Sequence, residues 1–87
     1  MKADKKDVLN RLASAEGHLQ AIRRMIEEDT YCVDVLKQTY AVQRALSRMQ
    51  AVILRGHLSS CVPERITTDQ KDELIEELAE LYDLAQK

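Results

Sequence analysis

From about residue 31 to residue 60 one stripe runs through the chain: Val35, Thr39, Val42, Leu46, Met49 and Ile53, at alternating steps of four and three. That spacing is the a/d pattern of an α-helix with one committed face. The helix it predicts is the longest element of the chain. Met49 falls within the stripe and reads as core. Pro63 is the expected stop, because proline lacks the N–H and restrains the residue before it.

A second stripe, Val8, Leu12, Ala15, Leu19, Ile22 and Ile26, predicts a helix over residues 5–28. Gly17 interrupts it at a cost of about 1 kcal/mol relative to Ala, which points to close packing there. Asp29 or Thr30 is placed to N-cap the long helix. Leu74, Leu78, Leu81 and Ala85 predict a third helix, starting near Thr67 or Thr68, with Asp69 and Asp72 suited to its first turn. No repeat or linker divides the sequence, so residues 1–87 are expected to form a single domain.

The fold class is therefore all-α, three helices with a long central one. The chain has no Phe or Trp, two Gly and one Pro, and 32% of its residues are charged. A core of small aliphatic side chains in 87 residues is marginal alone. Self-association along the stripes is the expected remedy. Two Cys do not make a disulfide scaffold. No apolar run reaches the roughly 20 residues of a membrane span, and no signal-peptide pattern opens the chain. The cytoplasm is the expected compartment.

The chemistry lies at the two ends of the long stripe. His57 and Cys61 are four apart and share a helix face. Cys32 lies 25 positions before His57, which at about 100° per residue returns to within roughly 20° of the same face. In a straight helix these residues are about 37 Å apart, so one chain cannot unite them. Two copies packed antiparallel, with the two-fold axis near Ala45 and Leu46, would set Cys32 of one against His57 and Cys61 of the other. Two thiolates and an imidazole are a soft three-donor set, short of the four ligands of structural zinc and suited to Cu(I). Taken singly, each Cys reads better as a buried packing residue; the ligand reading rests on all three donors sharing one seam. His18 has no second ligand one turn away and reads as structural or surface.

Net charge is −2, but residues 1–60 carry ten Lys/Arg against seven Asp/Glu and residues 61–87 carry three against eight. Lys37, Arg44, Arg48 and Arg55 line one face of the long helix, about 160–200° from the stripe. Arg11, Arg23 and Arg24 add charge on the first helix. Such a face is either solvated surface or a phosphate-contacting one. No oxyanion-hole or substrate-loop pattern accompanies the Cys/His pair, so an enzyme with an organic substrate is not expected.

The combination resembles the CsoR/RcnR/FrmR family of small helical bacterial repressors. The residues that carry the resemblance are Arg11-Leu12, Glu16-Gly17-His18, Arg24 through Asp29, Tyr31 through Leu36, Gly56-His57-Leu58 and Cys61-Val62. The Cys, His, Cys spacing is similar to that of the copper-sensing branch. The resemblance implies a homotetramer, a dimer of antiparallel dimers, that binds operator DNA without metal. It implies Cu(I) held by Cys32 of one subunit with His57 and Cys61 of the other, release of DNA on binding, and derepression of copper efflux. It further implies that Tyr31 and Glu77 support the imidazole and that Arg11 and Arg48 contact DNA. Nickel- and cobalt-sensing members add a His near the N-terminus, absent from residues 1–10 here. The formaldehyde branch lacks the second Cys and the persulfide branch lacks the His. A repressor of the same fold responding to persulfide, thiol oxidation, nickel or zinc is the alternative.

Overall fold

A computed structural model describes residues 1–87. It is all-helical, with no strand. Helix α1 spans Lys5–Glu27 and helix α2 spans Cys32–Gly56. A π-helical turn, His57–Cys61, follows without a break, then a short helix α3, Val62–Arg65, and finally α4, Lys71–Ala85. Backbone angles stay helical from Gly56 through Ile66, so α2, the π turn and α3 form one rod. Three rods result, as the sequence predicts.

Asp4 caps α1, accepting from the Asp7 N–H at 3.2 Å. The α1–α2 turn works differently from expectation. Neither Asp29 nor Thr30 caps α2; the N-cap is Tyr31, without a side-chain bond. Asp29 instead takes a positive φ of 56°, a left-handed conformation that Asp tolerates better than most residues. It reverses the chain so that α2 packs back on α1. His18 and Gln38 link the pair, Nε2 to Oε1 at 2.7 Å, which gives His18 a structural role.

Pro63 does not stop the helix. It lies in the first turn of α3, where its missing N–H is tolerated. The ring crowds the carbonyl one turn back, and the backbone answers by widening: the Val62 N–H reaches five residues back to the His57 carbonyl. Ser60 and Ser59 both donate to the Gly56 carbonyl, at 2.6 and 3.3 Å. The rod ends at Arg65, and α4 begins at Lys71 rather than at Thr67 or Thr68. Thr68 bridges the gap, donating to the Arg65 carbonyl at 2.7 Å and accepting from the Gln70 N–H at 3.1 Å.

Close packing occurs at the other glycine. Space beside Gly17 is open, whereas a Cβ on Gly56 would lie 2.5 Å from the Ala3 Cα. Bare backbone at Gly56 thus lets the N-terminal arm cross the end of α2.

One chain buries few side chains: Val8, Ala15, Ile22, Val42 and Leu74. On α1 that is every second member of the stripe; on α2 only Val42 is buried, and Val35, Leu46, Met49 and Ile53 are half-buried. The radius of gyration is 17.2 Å, against about 12 Å for a compact chain of this length.

Candidate metal centre

The donors sit at opposite ends of α2. Cys32 is its first residue and is exposed. Since α2 is unbroken from Cys32 to Gly56, the rise of 1.5 Å per residue puts His57 about 37 Å away. Within the chain no three His, Cys, Asp or Glu side chains come together in a metal-binding cluster.

His57 and Cys61 open and close the π turn. In an α-helix, residues four apart are about 40° out of line. A turn that closes over five residues moves this offset to the other side, re-aiming His57 relative to Cys61, and such turns recur at functional sites. The π turn escaped the sequence reading; Pro63 six residues after His57, preceded by Ser59 and Ser60, was its available signal.

Both side chains are half-buried and line a groove of about 850 Å³. One wall is α2, through Ser47, Gln50, Ile53 and Leu54; the other is α4, through Glu77, Glu80, Leu81 and Leu84. Met1, Lys2 and Ala3 reach its edge. The thiols of Cys32 and Cys61 are free. The donor chemistry, two free thiols and one imidazole, fits a soft monovalent cation such as Cu(I) if the two ends of α2 are supplied by different copies.

Glu77 stands in the same groove as His57, but its carboxylate is engaged elsewhere. Arg65 Nη1 donates to Oε2 at 3.0 Å and Nη2 to Oε1 at 3.5 Å. Tyr31, 68% exposed at the start of α2, lies at the other end of the rod, so one chain does not unite Tyr31 with Glu77. Arg65 was missed from the sequence: its partner is twelve residues on, across the α3–α4 turn, and no local spacing marks the pair.

The basic residues separate into two kinds. Lys37, Arg44, Arg48 and Arg55 are exposed along α2, and the chain's two ion pairs leave all four without a carboxylate partner. Arg11 is paired, its Nε 3.0 Å from Asp7 Oδ1 one turn earlier.

Comparison with known proteins agrees with this arrangement. A family model described as "metal-sensitive transcriptional repressor" matches residues 4–86. The copper-sensing transcriptional repressor CsoR of Mycobacterium tuberculosis H37Rv is 45% identical over 78 residues, 90% of this chain and 66% of that protein. The chain thus spans just under two thirds of that relative's length. Among solved structures, the copper-sensing repressor CsoR with Cu(I) from Geobacillus thermodenitrificans superposes with a TM-score of 0.87 at 28% identity, covering 94% of this chain and 85% of that one. The nickel-responsive transcriptional regulator InrS gives 0.76 at 30% identity, covering 95% and 93%. The chain belongs to the metal-sensitive transcriptional repressor family.

Proposed function

We propose that this protein is a Cu(I)-responsive transcriptional repressor, not an enzyme, that binds operator DNA without metal and releases it on taking up copper, so that copper-efflux genes are expressed. Residues 1–87 act as one domain of a cytoplasmic homotetramer built from antiparallel dimers. The observation that carries this reading is the division of the donor set. A half-site of His57 and Cys61 faces a groove at one end of α2, and an exposed thiol stands about 37 Å away at the other. Antiparallel pairing of two α2 helices completes two equivalent sites at once.

Cys32 of one subunit, with His57 and Cys61 of its partner, would hold the metal. Bound there, Cu(I) supplies a soft Lewis-acid link between thiolates of two chains. Tyr31 and Glu77 would orient the imidazole through its second nitrogen, as outer partners of ligating histidines do. Arg48 and Arg11 would contact phosphates, which fix position and dominate affinity. Drawing the start of one α2 toward the π turn of the other shifts both basic faces relative to the duplex. The link is a coupling free energy and is reciprocal: DNA weakens copper binding by the factor by which copper weakens DNA binding.

Affinity for a promoter fragment with and without one Cu(I) per subunit tests this reading. We expect His57→Ala to retain DNA binding while copper loses most of its effect on it; release as complete as in the unaltered protein would overturn the coupling route. The likeness to InrS supports a nickel-responsive reading less strongly: its TM-score of 0.76 is below the 0.87 of the copper-sensing structure, although its identity is 30% against 28%. Ni(II) releasing DNA where Cu(I) does not would favour it.

A further inference from the structure

We infer that Arg65 is a positioning residue that sequesters Glu77 from His57, so that Glu77 has two alternative partners and its exchange between them is part of the switch. The inference rests on the reading that His57 ligates the metal with Glu77 as its outer support. A ligating imidazole needs an acceptor for its other N–H. The groove around His57 offers two carboxylates, Glu77 and Glu80, both on α4. Glu77 is committed: both its oxygens face the Arg65 guanidinium, at 3.0 and 3.5 Å. A fork-to-fork pair of this kind fixes the carboxylate in direction as well as place. It ties α4 to the end of the rod that carries His57 and Cys61.

The pair is poised rather than locked. Arg65 Nε is buried and has no hydrogen-bond partner, although the side chain as a whole is 24% exposed. If Arg65 swings outward it loses Glu77 but returns Nε to water, and the second change offsets part of the first. Glu77 is half exposed, at 49%, so it can turn without opening a packed core. Exchange of Glu77 from Arg65 to His57 therefore costs little, and it uncouples α4 from the rod while stiffening the imidazole. Metal occupancy and the position of α4 then share one side chain.

The test uses the full-length protein carrying Arg65→Gln, which keeps polarity and bulk but removes the ion pair, and Arg65→Lys, which retains the charge. In metal-free R65Q we expect the His57 ring 15N resonances to move toward the positions seen in the copper-loaded unaltered protein. Cu(I) affinity, measured against a chelator, should rise about fivefold, the scale of one partly exposed ion pair. R65K should stay near the unaltered protein. Glu77→Gln combined with R65Q should abolish the gain, because both changes act through one contact. An unchanged His57 spectrum and affinity in R65Q, or a gain that survives Glu77→Gln, would overturn the inference alone. A His57→Ala protein that binds Cu(I) as tightly as the unaltered one would overturn the ligand reading and this inference with it.

Discussion

Among single residues, Arg11 and Arg48 illustrate how two similar guanidiniums differ in availability. Arg48 has no carboxylate partner, whereas Arg11 shares its charge with Asp7. Both side chains of that pair are 41% exposed, so it is worth only about 0.3–0.5 kcal/mol, and a phosphate can displace Asp7. Asp7→Asn should therefore strengthen operator binding about twofold at low salt, with the gain fading as salt screens it. The same change removes an acid from the first turn of α1, which should lower stability by about 0.3–1 kcal/mol. Fluorescence anisotropy across a salt series, with a thermal melt, measures both. Weaker binding in D7N would mean that Asp7 holds Arg11 in place for the phosphate instead of competing for it. At this scale the sequence marks three candidate donors, because Cys and His are rare and chemically distinct and their spacing falls on one helix face. The Arg65–Glu77 contact was not, since charged residues are common here and the pairing depends on how two separate helices meet.

At the scale of elements, the stripes located all three rods, because periodic burial is a property of many residues at once. The ends were less legible. Asp29, Pro63 and Thr68 each carry the right chemistry for a boundary, yet each serves a neighbouring feature instead: a left-handed turn, a π turn and a bridge between helices. A local signal marks strain or hydrogen-bonding capacity, and the surrounding helices decide how it is used. Pro63 is the clearest case, since it widens the turn that carries two donors. Pro63→Ala restores an N–H and removes the ring clash, so regular α-helical bonding can run through residues 57–63. We expect P63A to keep or raise helicity and thermal stability while Cu(I) affinity falls about tenfold, the cost typical of disturbed ligand orientation. Circular dichroism and chelator competition test the two arms. Unchanged affinity would show that the π turn does not set the donor geometry.

For the whole molecule, the exposed apolar side chains and the divided donor set call for the same solution. A chain with a radius of gyration of 17.2 Å and five buried residues leaves the central stripe of α2 half-covered, from Val35 through Leu46 to Ile53. Leu36, Tyr40, Leu54 and Leu58 are exposed besides. Antiparallel pairing across Ala45 and Leu46 would cover the stripe and, by the same symmetry, would bring each Cys32 to the other chain's His57 and Cys61. Assembly and metal site then stand or fall together, which subunit mixing can measure. A Cys32→Ala chain retains His57 and Cys61; a Cys61→Ala chain retains Cys32. Alone, neither should bind Cu(I) with native affinity. Co-refolded in equal amounts, about half of the dimers are mixed, and each mixed dimer has one of its two sites whole, so about one quarter of the native capacity should return. A site built within one chain would recover nothing on mixing. Recovery near one quarter, read by chelator competition and lost when the two variants are refolded separately before mixing, is the result that antiparallel pairing requires.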